Sequence, residues 1–445
     1  MENNLTTGSV FKTILSFSLP FLLSYFLQTL YGMADLFIIG QFDGVEGTTA
    51  VSIGSQVMHM LTVMIVGLAM GSTVIIGKAI GAQKKEEAST AIGNTVTLFM
   101  GLSVVITVVL LLVVEPIVNI MSTPDEAVKG TILYLTICFI GIPFITAYNI
   151  ISSIFRGMGD SKSSMYFIAI ACVANIILDY LFIGAMKMGT AGAALGTTLS
   201  QTISVIVSLW IILRKQTGLT LKKQDFIPNK SIMGSLLKIG LPVAFQDGFI
   251  QISFIVITII ANQRGLNDAA AVGIVEKIIS FLFLVPSSML STVSTLSAQN
   301  IGAGRHDRAK QTLCYTVMIS VSFGVFSVIG MQLFAETFIN LFSEDVEVIR
   351  LGSQYMRGYV WDCILAGIHF CFSGYFCAYG LSEFSFLHNS IAIICARIPL
   401  AYLASKYFAD TLFPMGLATT AGSFVSVIIC IGVFIWMQRK VKKDG

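Results

Sequence analysis

About 20 consecutive apolar residues suffice to cross the hydrocarbon core of a bilayer as a helix, and this 445-residue chain contains twelve such runs in succession. They lie near 13–39, 50–76, 91–118, 130–154, 164–184, 190–213, 235–260, 270–298, 311–342, 352–376, 384–406 and 414–437. Backbone amides in lipid must be satisfied internally, so only helices or closed barrels can span. The runs are continuous rather than alternating, which argues against barrel strands. An average pitch of roughly 37 residues per helix and loop leaves little room for a water-soluble domain.

The supply of charge agrees. Only 11% of the residues are Asp, Glu, Lys or Arg, against about a quarter in a soluble domain. So few charges cannot cover a water-facing surface of this size, and lipid must cover most of it. Soluble enzymes, nucleic-acid binders and disulfide scaffolds are excluded on that ground. A net charge of +3 is too small to imply an anionic partner. Eight cysteines, at 138, 172, 314, 363, 371, 377, 395 and 430, form no CxxC pair and read as buried thiols within apolar runs. The first run is too long for a signal-peptide core and lacks a small-residue cleavage site.

Orientation follows from the loop cations. One side carries 19 of the 27 Lys and Arg residues, including Lys12, Lys84, Lys85, Arg156, Lys222, Lys223, Arg305, Arg308 and Lys443. The other carries six: Lys129, Lys187, Arg264, Arg350, Arg357 and Lys406. Lys277 and Arg397 fall inside spans. The basic side is expected to be cytoplasmic, with both termini inside a multi-pass protein of the cell membrane.

The chain also repeats itself. Leu19-Pro20 recurs as Leu241-Pro242, Ile80-Gly81-Ala82 as Ile301-Gly302-Ala303, and Gly159 as Gly380, all at offsets of 221 or 222. The expected architecture is therefore an all-α polytopic membrane protein of 12 transmembrane helices. Two pseudo-symmetric six-helix lobes would surround a central cavity and be related by an axis along the membrane normal. The lobes are placed at 1–215 and 235–445, with a cytoplasmic linker at 216–234. Two lobes about a cavity suit a transporter, because rocking one against the other alternates access.

Several segments carry a family resemblance. Phe17-Ser18-Leu19-Pro20 with Tyr31-Gly32-Met33-Ala34-Asp35 resembles the first span of the multidrug and toxic compound extrusion (MATE) family. Asn175-Ile176-Ile177-Leu178-Asp179 and Gly192-Ala193-Ala194-Leu195-Gly196-Thr197 resemble its spans 5 and 6. Gly77 through Gly81, and Arg156-Gly157-Met158-Gly159-Asp160, match its loops after spans 2 and 4. The resemblance covers essentially the whole chain. It implies efflux of amphiphilic, cationic compounds by antiport with Na+ or H+, with no other cofactor, by a monomer.

A carboxylate inside a span is costly and marks function by default. Counted at 1.5 Å per residue, Asp35, Asp179 and Thr197 lie roughly 7–10 Å from the outer ends of spans 1, 5 and 6. Asn175 stands one turn from Asp179 on the same face. Two carboxylates, an amide and a hydroxyl offer the hard oxygens that Na+ prefers. They can equally share a proton, since two adjacent carboxylates do not both stay ionised cheaply. In the DinF-like branch of the family, matching positions are associated with cation or proton binding. The NorM-like branch pairs an acid in span 10 with a Glu in span 7. Here span 10 offers Asp362, but span 7 offers Gln246, Asp247 and Gln251 and no Glu. Asp362, Asp247 and Gln251 are secondary candidates, and an ion pair with Arg357 or Arg397 is the structural alternative for Asp362.

Pro20 and Pro242 each remove a helix hydrogen bond inside a span and promote a kink. Tyr31, Met33 and Tyr148 are candidate cavity residues for amphiphilic substrates. The four histidines (59, 306, 369, 388) have no metal-binding spacing, and no nucleophile elbow or phosphate loop is present. The chain therefore reads as no enzyme and no ATPase. The alternative within transport is a lipid or lipid-linked saccharide flippase. That function calls for several cavity cations, and only Lys277 and Arg397 are expected inside spans.

Overall fold

The computed structural model describes residues 5–214 and 221–444; part of the expected linker, 216–220, lies outside them. The described chain is helical and contains no strand. Its first half comprises α1 (Val10–Phe42), α2 (Gly44–Gly81), α3 (Lys85–Leu112), α4 (Val114–Ile120), α5 (Asp125–Ile140), α6 (Ile142–Gly157), α7 (Ser161–Asp179) and α8 (Gly189–Arg214). The second comprises α9 (Lys230–Arg264), α10 (Leu266–Leu282), α11 (Leu284–Gly302), α12 (His306–Asn340), α13 (Val346–Tyr359) and α14 (Asp362–Tyr379). It ends with α15 (Ser382–Ala392), α16 (Ile398–Tyr407) and α17 (Phe413–Asp444). Short π-helical stretches at Tyr180–Ala185 and Ile393–Arg397 continue α7 and α15.

Among the described residues ten helices, α10 with α11 and α15 with α16 each counted as one, are long and apolar enough to cross a membrane, and two broken pairs raise the total to twelve. The pairs are α5 with α6, bent by 52°, and α13 with α14, bent by 41°. These are the expected spans 4 and 10, straight in the apolar pattern and broken in the structure. Pro143 in the first turn of α6 has no backbone N–H to continue the helical ladder from α5, and the bend falls at Gly141 just before it. Lipid-facing stripes are evident: on α3, Val104, Val105, Val108, Val109 and Leu112 are all exposed, at spacings of three and four.

The internal repeat is written in the backbone. Positive-φ residues Gly44, Gln83 and Gly159 recur at Gly265, Gly304 and Gly380, each 221 residues on. Fully buried Tyr134 likewise recurs as Tyr355. The stretch after α11, with Gly304 at positive φ, is a helix-ending turn.

Two compact units emerge. One holds Leu19–Ala244 with Met1–Thr7 and Gly302–Gly304; the other holds Gly8–Ser18, Phe245–Ile301 and Arg305–Gly445. Helices α1 and α9 thus change unit within two residues of Pro20 and Pro242. Within the first unit, the opening half of α9 lies hard against α2. A methyl group on Gly240 would overlap the Leu68 carbonyl, and one on Gly71 the Leu236 carbonyl, the close approach that small residues permit between membrane helices. Within the second, Ser288 Oγ donates to the Ser18 carbonyl (2.9 Å) and Arg308 Nη1 to that of Gly8 (2.9 Å).

The linker is docked rather than loose where it is described. A 3-10 turn at Lys223–Phe226 lies on α3, where Asn94 Nδ2 donates to the carbonyls of Asp225 (3.1 Å) and Ile227 (3.3 Å). Asn94 Oδ1 accepts from the Asn229 amide (2.7 Å) and Thr90 donates to Asp225 Oδ1 (3.0 Å). All eight cysteines are free; Cys314 and Cys395 are exposed, against the expectation that all are buried.

Candidate cation-coupling site

In the first unit, α1, α7 and α8 bring Asp35, Asn175, Asp179 and Thr197 to one place. They are 4%, 1%, 0% and 8% exposed, so the quartet is shut away from bulk solvent. Thr197 Oγ1 donates to Asp35 Oδ2 at 3.2 Å. Asp35 Oδ1, both Asp179 oxygens and both amide atoms of Asn175 have no hydrogen-bond partner. Asp35 faces Asp179, Thr197 and Asn175.

Local sequence explains the convergence. Asn175 and Asp179 are one turn apart on α7, and the helix changes to a π stretch immediately after Asp179. Such a widening of the turn is frequent at functional positions. The GAALGT segment of α8 gives α7 the closeness it needs. Ala193 and Ala194 are fully buried, and a methyl group on Gly196 would overlap Asp179 Oδ1. Tyr31 stands one turn before Asp35, beside Gln201 of α8.

Buried polar atoms are almost always paired, so five orphaned atoms in one place need a partner of another kind. Neighbouring carboxylates such as Asp35 and Asp179 repel unless a positive charge lies between them. The donor set fits a hard cation such as Na+, or a proton held between the two carboxylates. No group of three or more His, Cys, Asp or Glu suited to a metal occurs among the described residues, so the oxygens of Asn175 and Thr197 would complete any Na+ shell.

The other candidates divide. Asp362, in the second unit, begins α14 just past the break, and its Oδ1 has no partner. Arg357 donates instead to Glu336 Oε1 (3.3 Å), which removes it as the partner of Asp362. Arg397 donates to Tyr359 Oη (2.9 Å) and stacks over Phe254 (4.7 Å), and makes no ion pair with Asp362 among the described residues. Asp362, His369, Asn389, Arg397 and Ser423 line a cavity of about 50 Å³. Asp247 and Gln251 stay outside it; its α9 members are Ile250 and Phe254. Tyr148 is buried, whereas Met33 is 48% exposed and points away from the face shared by Tyr31 and Asp35.

Two charged residues escaped the sequence reading. Glu276 on α10 is held by Thr258 (3.4 Å), with Oε1 unpaired. Its place inside the apolar run near 270–298 was the available signal. Arg156, counted among the cytoplasmic loop cations, is buried in the last turn of α6.

The MatE family model matches this chain twice, over residues 20–181 and 242–403. The "Probable multidrug resistance protein YoeA" of Bacillus subtilis is 27% identical over 98% of this chain and 96% of its own. The "Multidrug export protein MepA" of Staphylococcus haemolyticus is 24% identical over 95% and 93%. A solved structure described as the outward-facing conformation of a multidrug resistance MATE family transporter superposes with a TM-score of 0.91. It is 23% identical and covers 99% of this chain and 98% of that one.

Proposed function

The chain belongs to the MatE family of multidrug efflux transporters, and from that premise we propose that it exports amphiphilic, cationic compounds by antiport with Na+ or H+ through alternating access. The single observation that carries the coupling assignment is the buried quartet of Asp35, Asn175, Asp179 and Thr197 with its five unpartnered atoms. A site of this kind can hold one positive charge and gains from doing so. Loading the cation or proton removes the repulsion between Asp35 and Asp179, and releasing it restores that repulsion. A substrate that binds only the unloaded state would then exchange against the ion, since a ligand shifts an equilibrium only by its differential affinity. The hydrogen bond from Thr197 to the Asp35 carboxylate supports the N-terminal unit as the coupling lobe. The basic loops support cytoplasmic termini, and the family resemblance a monomer.

The test is dye efflux from inverted vesicles and proteoliposomes under imposed Na+ or H+ gradients. Asp35→Asn and Asp179→Asn should each lower gradient-driven efflux of a cationic dye at least about tenfold, as expected for losing a charge-assisted contact, with insertion unchanged. Wild-type rates in either variant sink the coupling assignment. Absence of gradient-driven efflux of any cationic dye sinks the antiport reading.

A further inference from the structure

Arg156 is a buried cation without a carboxylate partner among the described residues. It is 9% exposed, forms no ion pair among the described residues, and its Nε has no hydrogen-bond partner. The Phe21 ring lies 5.8 Å from the guanidinium carbon, and the phenols of Tyr25 and Tyr148 are its polar neighbours. The α6 helix end supplies at most about half a negative charge. A buried ion left so is costly.

The guanidinium borders a cavity of about 20 Å³. Ser24, Gln28, Asn149, Ser152 and Ser164 line it, and no carboxylate does. Ser152 Oγ is also unpartnered. The Ser24 hydroxyl and Asn149 amide are held in place, donating to the carbonyls of Pro20 (2.7 Å) and Ile145 (2.8 Å). Phe21, Tyr25, Val66 and Ile168 line the remaining wall. The volume admits a group slightly larger than one water. One uncompensated fork of N–H donors, neutral hydroxyls and amides around it, and an apolar flank fit a carboxylate with a hydrocarbon body behind it.

We infer that this cavity is a carboxylate-binding site, built on Arg156 with Ser152 and Gln28, for an acid carried on a transported amphiphile or supplied as a free small acid. Gln28 precedes Asp35 by seven residues on α1, about 10 Å along the axis. Helix α1 therefore contributes one residue to each site, Asp35 to the anionic pair and Gln28 to the wall beside Arg156. An amphiphile carrying its own acid would meet Arg156 there, a class that the proposed cationic substrates do not cover.

The first arm uses no transport, so it stands whether or not efflux is seen. Thermal unfolding of the purified full chain is followed in potassium acetate or benzoate against potassium chloride at equal ionic strength, which keeps the cation constant. Both carboxylates should raise the midpoint in a concentration-dependent way. Arg156→Gln should weaken the apparent affinity at least about tenfold, and Ser152→Ala several-fold. The second arm compares transport of a rhodamine with a free benzoate and of its methyl ester in proteoliposomes. A fall in the acid-to-ester ratio in Arg156→Gln, with ester rates kept, assigns the site to the transported amphiphile. An Arg156-dependent shift with an unchanged ratio assigns it to a free acid. Should Arg156→Gln not fold, Arg156→Lys keeps the charge but loses the fork and should show the same weakening. Equal responses to chloride and carboxylate in the wild type, or unaltered carboxylate responses in these variants, overturn the site.

Discussion

At the scale of single residues, the site depends on a hydrogen atom where any other residue has a methyl. Gly196 leaves room for the Asp179 carboxylate, and Thr197 beside it donates to Asp35, so adjacent positions of α8 serve the two acids. Gly196→Ala must push Asp179 aside; overpacking of this kind costs about 1–3 kcal/mol. The expected outcome is an inserted protein with gradient-driven efflux lowered about tenfold or more, and unaltered efflux would show that Asp179 is free to move. The acids were legible because a carboxylate in an apolar run has few structural excuses. Arg156 was not: its neighbours in the chain read as a cytoplasmic loop, and burial is a property of what folds over it. Glu276 carried the same signal as the other span acids, and the fold adds only that Thr258 reaches it from α9.

At the scale of elements, hydrophobic runs reveal that a span exists and hide how it bends. Spans 4 and 10 are each two helices, because the apolar pattern is blind to the break at Gly141 and to that at Val360-Trp361. The π stretch after Asp179 is equally silent in composition; it changes the turn, not the hydropathy. The linker shows the reverse case. Polar and basic, it reads as a tether, yet Asn94 of α3 makes hydrogen bonds to Asp225, Ile227 and Asn229. Asn94→Ala removes three of them, each worth about 0.5–1.5 kcal/mol. Trypsin cleavage after Lys222 and Lys223 should then speed up roughly tenfold or more. An unchanged cleavage rate would show that other contacts hold the linker.

At the scale of the molecule, the loop cations place Lys222 and Lys223 in the cytoplasm and Lys187 outside. With exposed Cys314 and Cys395 and any other reactive thiols replaced by Ser, Lys222→Cys should react with a membrane-impermeant maleimide in inverted vesicles only. Lys187→Cys should react in right-side-out vesicles only, and the opposite pattern would reverse the topology. Sequence by itself determined the membrane class, the number of spans and the repeat. Those follow from hydrophobic length, charge scarcity and recurring glycines, which are properties of neighbours along the chain. Tertiary structure alone decided that α1 and α9 change unit beside Pro20 and Pro242. It also decided that five orphaned atoms gather around Asp35 and Asp179, and that Arg156 is buried without a counter-ion. Pairing and burial depend on residues distant in the chain coming together, and no local pattern records which ones do.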